Sequence, residues 1–213
     1  MLNRRHIRIK VMQIAYAFDG NESDDLKVQE RFLKKSMNSM YDLYLLMLTL
    51  LVEVQKKSDE YIQKSQKKHL ATAEDKNPNR KFVNNEVILL IKNNEAINQL
   101  LENRKLNNWK VDDEYVEILF RELLNSELYK GYMSSRLSTF QEDKEFAIDF
   151  FREIVAPNEK LHDYLEDKNI TWLDDLAVVN TAIVKLLRKV KPTISDSFFT
   201  PQLIKDKEDE EFA

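Results

Sequence analysis

The sequence contains no cysteine, which excludes disulfides and thiolate metal sites and fits a reducing compartment. Only two glycines, Gly20 and Gly131, and four prolines serve 213 residues. Folds built on tight turns and glycine bulges need more of both, so long helices with few breaks are expected. Two isolated glycines cannot assemble a glycine-rich phosphate loop. His6, His69 and His162 are far apart and lack acidic neighbours at metal-ligand spacing, so no metal site is expected. No serine nucleophile motif occurs either, and the expectation is a protein without cofactor or catalytic residues, not an enzyme. The first ten residues are charged and lead into no apolar core, unlike a secretory signal. The longest apolar run, residues 43–52, is interrupted by Tyr44 and Thr49 and is too short for a bilayer. No membrane segment and a cytoplasmic location are therefore expected.

Hydrophobic residues make up 43% of the chain and charged residues 33%, which suits packed helices with solvated outer faces. No segment alternates apolar and polar residues over a strand's length, so an all-α helical bundle is expected. A first helix runs from Asn3 to Phe18, with Asn3 as cap and Ile7, Val11, Ile14, Ala15 and Phe18 as its apolar stripe. Arg5, Ile9, Met12 and Tyr16 fall on the opposite side. The second helix opens at Ser23, Asp24 and Asp25 and reaches about His69. Leu33, Met37, Met40, Tyr44, Met47, Leu51 and Val54 keep a 4-3 spacing along it, and Tyr41, Leu48 and Val52 widen the stripe to that of a globular bundle. The methionines of this stripe read as core rather than as a plastic binding groove.

Residues 73–80 read as a loop. A helix from Asn84 or Asn85 carries Val87, Leu90, Ile91, Ile97, Leu100 and Leu101, up to a break at Asn107 and Asn108. The next helix carries Val111, Tyr115, Ile118, Leu119 and Leu123 and fades near Gly131. A short helix over residues 142–156 precedes Pro157, and a smaller one follows over residues 161–165. The last strong helix starts near Thr171 with Trp172, Leu176, Val179, Ile183, Leu186 and Val190 inward, and Pro192 stops it. Thr171 and Asp174 suggest a capping box; Asp174 and Asp175 read as first-turn acids rather than a catalytic pair. Lys185, Arg188, Lys189 and Lys191 suit the negative end of that helix.

Residues 137–147, LSTFQEDKEFA, and 203–213, LIKDKEDEEFA, are identical at six of eleven positions. The first copy leads into a helix, and the second ends the sequence at the corresponding point. The expectation is a chain cut from a longer protein where a second copy begins.

The net charge of -4 excludes a general polyanion binder, so any nucleic-acid contact must be local. Arg4, Arg5, Arg8 and Lys10 place four positive charges within seven residues, with His6 among them. Guanidinium forks suit phosphate oxygens, and cations at a helix N-terminus oppose the macrodipole, which hints at an anionic ligand. Gln13 suits a base edge, and Tyr16 suits stacking on an unpaired base. The five lysines Lys56, Lys57, Lys64, Lys67 and Lys68 give the second helix a basic end that reads as solvated.

RRHIRIKVMQIAYAF resembles the opening helix of the NusB family of transcription antitermination factors. That helix has the form R-x-x-A-x-Q-x-L-Y, here matched by Arg8, Val11, Gln13, Ala15 and Tyr16. The larger, divergent members with an extra N-terminal segment are the most similar. Residues 146–192, from FAIDFF through NITWLDDL to RKVKP, resemble the family's middle portion. The resemblance implies a NusB-like bundle: a basic N-terminal helix in residues 1–20, a long inserted helix pair in 21–135, the middle helices in 136–195, and a tail in 196–213. It also implies binding to single-stranded RNA of ribosomal RNA leaders, together with a small ribosomal protein acting as an elongation factor. RNA polymerase would be the indirect partner. Arg4, Arg5, Arg8, Gln13 and Tyr16 are then the RNA contacts, to which charge and position add His6 and Lys10. Two other readings stand beside this one: a helical protein-interaction module in which Gln13 and Tyr16 are buried, and the RNA-binding module of an rRNA-modifying enzyme.

Overall fold

The computed structural model describes residues 4–18, 26–67, 72 and 76–203. These residues form ten α-helices and no strand. They are α1 (Arg4–Phe18), α2 (Leu26–Gln66), α3 (Glu86–Lys92), α4 (Glu95–Asn103), α5 (Asn108–Val111), α6 (Asp113–Asn125), α7 (Glu127–Ser134), α8 (Phe140–Phe150), α9 (Glu159–Lys168) and α10 (Ile170–Lys189). A π turn, Phe151–Val155, extends α8, and a 3-10 turn, Asp196–Phe199, follows α10. Asn3, the side chain of Phe18 and the second copy of the repeat beyond Leu203 lie outside the described residues.

Helix α2 is the axis of the bundle. Its 41 residues give a rod about 60 Å long at 1.5 Å per residue. All ten residues from 43 to 52 are buried, so the stripe seen in the sequence closes into an apolar cylinder. α1, α3, α6 and α10 pack around it. Met37, Met40 and Met47 are core side chains. The Tyr44 hydroxyl donates to the carbonyl of Phe199 at 2.7 Å, and Trp109 Nε1 donates to the carbonyl of Leu46 at 3.0 Å, so the polar tips of both rings are satisfied inside. One apolar cluster extends from Ile7 to Phe199. Segments 1–20, 21–135, 136–195 and the described start of the tail therefore share a core. α2 is also long and apolar enough to cross a membrane, but 78% of that window is buried within the bundle, the environment of a core helix.

With glycine and proline scarce, asparagine, serine and threonine punctuate the helices. Asn85, Asn94, Asn158 and Asn169 cap α3, α4, α9 and α10, and Ser126 and Thr139 cap α7 and α8; each side chain accepts from a first-turn amide. This corrects several boundaries. The expected single helix from Asn85 to Asn107 breaks at Asn93 and Asn94, because Asn94 caps a new helix through Ile97 N at 2.9 Å. The expected long inserted pair is one long helix followed by five short ones, α3 to α7. α10 is capped by Asn169, whose side-chain Oδ1 accepts from Thr171 N and Oγ1, so the Thr171–Asp174 capping box does not form. At the end of α4, Lys105 takes a left-handed conformation with φ 56°. Lys105 N bonds to Glu102 O and Leu106 N to Leu101 O, closing the helix as a glycine would.

Candidate nucleic-acid interface

Helix α1 lies between the first half of α2 and α10. Ile7 and Ile14 sink into the core at 0% and 7% exposure. Lys10 falls between them at the same 3-4 spacing and is only 4% exposed. Its Nζ lies 2.7 Å from Asp175 Oδ1 and donates to Asp175 Oδ2 at 2.8 Å and Ser36 Oγ at 2.9 Å. One buried ammonium thus ties three helices. Lys10 was expected among the RNA contacts; the structure instead withdraws it from the surface, because it belongs to the buried stripe. Burial pushes the Asp175 carboxyl above its ordinary range, against the pull of Lys10. Asp175 is therefore a structural counter-ion rather than a capping acid. Its neighbour Asp174 is exposed and accepts from Gln13 Nε2 at 3.3 Å.

The opposite face of α1 is open. Arg4, Arg5, Arg8, Gln13 and Tyr16 are exposed, with Tyr16 at 84%. Arg5, Ile9, Met12 and Tyr16, spaced by four, three and four residues, form one line along the helix, and Met12 is 70% exposed. Val11 and Ala15, expected to be inward, instead line an open apolar groove of about 340 Å³ against Leu26 and Leu33 of α2. His6 is half-buried; burial, then the charges of Arg5 and Lys185, hold its imidazole below the usual value. The arrangement puts Arg5 at the N-terminal end of the outward line and the Tyr16 ring at its other end, a pairing suited to a phosphate and a base respectively, with Arg8 and Gln13 on opposite flanks.

His162 Nε2 lies 2.8 Å from the carbonyl of Ala156, and His69 is outside the described residues. Among the described residues no three His, Asp or Glu side chains converge on a possible metal site. At the basic end of α2, Lys56 pairs with Glu53, Lys57 with Asp113 and Glu117, and Lys64 with Glu60, so much of that charge is neutralised locally.

No family model matches this chain, and no curated protein or solved structure matches it.

Helix spacing placed Arg5, Met12 and Tyr16 on one line, and the packing of α1 leaves that line exposed. The spacing also held the signal for Lys10, midway between two core isoleucines. The acids at 174 and 175 were legible only as helix-start residues, because their partners on α1 are more than 160 positions away.

Proposed function

We propose that this protein binds single-stranded RNA through α1 and acts by binding, not catalysis, as an antitermination factor of the NusB type. The observation that carries the reading is the exposure of Arg5, Arg8 and Tyr16 on one short helix of an acidic protein. Had these side chains been buried, the resemblance of residues 4–18 would have described a core helix. Arg4, Arg5 and Arg8 would hold phosphates, Tyr16 would stack on a base, and Gln13 would exchange its 3.3 Å bond to Asp174 for a base edge. His6 would stand at the boundary of the phosphate site. The RNA would be a ribosomal RNA leader in the cytoplasm, with a small ribosomal protein as partner and RNA polymerase as the indirect target. Each of these follows from the resemblance alone.

The test is binding of a labelled single-stranded leader RNA across a salt series. Each lost phosphate contact should flatten the slope of log affinity against log salt by about 0.7, so an Arg4→Ala/Arg5→Ala pair should flatten it by about 1.4. Tyr16→Ala should weaken binding by about 1–3 kcal/mol with the slope unchanged. Salt-independent affinity would refute the reading.

A second reading rests on a specific feature: Met12 is 70% and Ile9 47% exposed on the outward line of α1. These suit a protein surface better than a phosphate chain. Under that reading Met12→Ser abolishes partner capture, while the arginine pair has no effect.

A further inference from the structure

The expectation for Lys185, Arg188 and Lys189 was that they complement the negative end of α10. Their placement gives them a second use. α1 and α10 run antiparallel, because Gln13 meets Asp174, Lys10 meets Asp175, and the charge of Lys185 acts on His6. Lys185 lies eleven residues beyond Asp174. That is about three turns and 16 Å along the helix, returning to within about 20° of the same face. Lys185 therefore sits beside the first turn of α1, with Arg188 and Lys189 one turn farther on, and all three are exposed.

The two helix ends bring like charges together. α1 contains no acid, and α10 contains none after Asp175. Among the described residues, Lys185, Arg188 and Lys189 form no ion pair, unlike the lysines near the end of α2. Helix-end complementarity accounts for them incompletely. The dipole's influence fades within the last turn, and Lys185 precedes that turn. The end of α10 also has its own donor, since Lys144 Nζ bonds to the carbonyl of Val190 at 3.3 Å.

We infer that Lys185, Arg188 and Lys189 form a second phosphate-binding row, so that one polyanionic strand crosses from α1 over His6 onto the C-terminal half of α10. The RNA identity of that strand rests on the function proposed above; the anion site rests on the juxtaposed helices.

The experiment measures binding of a single-stranded RNA dodecamer and, separately, of heparin, each across a salt series. The proteins are the full chain and its Lys185→Ala/Arg188→Ala/Lys189→Ala and Lys185→Gln variants. The expected result for the triple variant is a slope flattened by about 2 and an affinity at least tenfold weaker, with about 0.7 for Lys185→Gln. Circular dichroism and melting should be unchanged, since all three side chains are solvated. Native-like triple and single variants that keep the parent slope for both probes would overturn the inference. If the parent binds heparin with the predicted losses but ignores RNA, the anion row stands and the RNA reading falls. A parent that binds neither probe refutes both.

Discussion

Replacing Lys10 by methionine keeps the length of the side chain and removes its charge, leaving Asp175 buried opposite a thioether. In the parent the two charges are 2.7 Å apart. At an effective dielectric of 20 that separation is worth about 6 kcal/mol, against several kcal/mol of desolvation for each ion. The upward displacement of the Asp175 carboxyl, caused mainly by burial, says that desolvation outweighs the pairing at that site. The pair thus stabilises the fold little in net terms, yet breaking it from one side is costly. The cost has a ceiling, because the orphaned Asp175 can take up a proton. From its ordinary value of 3.8, doing so at pH 7 costs about 4 kcal/mol at 1.36 kcal/mol per pH unit.

Urea unfolding should therefore show Lys10→Met destabilised by about 3–4 kcal/mol at pH 7. The deficit should shrink on acidification. With the carboxyl raised, the folded variant holds a proton that the unfolded chain does not, so its stability rises as pH falls toward the ordinary carboxylate range. A Lys10→Met/Asp175→Leu double variant should recover most of the loss, since neither buried charge remains. A deficit below about 1 kcal/mol that is insensitive to pH would refute the argument, because it would mean that Asp175 reaches water.

Two further predictions follow from single side chains. In the unliganded protein the His6 imidazole sits below its usual value because of burial and the charges of Arg5 and Lys185, and a bound phosphate would oppose those charges. RNA binding should then take up a proton, with affinity rising as pH falls from 7.5 to 5.5; His6→Gln should flatten that rise, and an unchanged profile in the variant would exclude His6 from the site. In the unliganded protein the same depression means that stability contributed by neutral His6 is lost as pH falls through 6.5. Lys105→Gly should raise stability by up to about 1 kcal/mol in thermal or urea unfolding, because glycine takes the left-handed conformation without Cβ strain and Lys105 is exposed; a loss of stability would contradict the Schellman closure at the end of α4.

Local pattern alone placed much of the structure. The helical stripe of α2, the methionines in the core and the end of α10 before Pro192 depend on residues a few positions apart, and periodicity records such relations directly. The errors share a cause. Asn93 and Asn94 look alike in sequence, but Asn94 caps a helix while also donating to the carbonyl of Asp196 at 2.9 Å, a partner from the other end of the chain. Val11 and Ala15 are apolar and correctly spaced, yet α2 leaves a groove where a neighbour would have buried them.

By itself the sequence determined an all-helical chain, the apolar middle of α2, and a short basic helix with Arg5, Met12 and Tyr16 on the side away from its apolar stripe, because helical periodicity and charge are local quantities; whether that side meets solvent was left to the tertiary structure. Only the tertiary structure decided which cation of that helix is spent inside. Lys10 carries the same charge as Arg8, but helix α10 brings Asp175 to it across 165 residues, and a buried ammonium with three hydrogen-bonding oxygens is no longer available to a ligand. The same antiparallel docking placed Lys185 beside His6, a proximity that no spacing along the chain records.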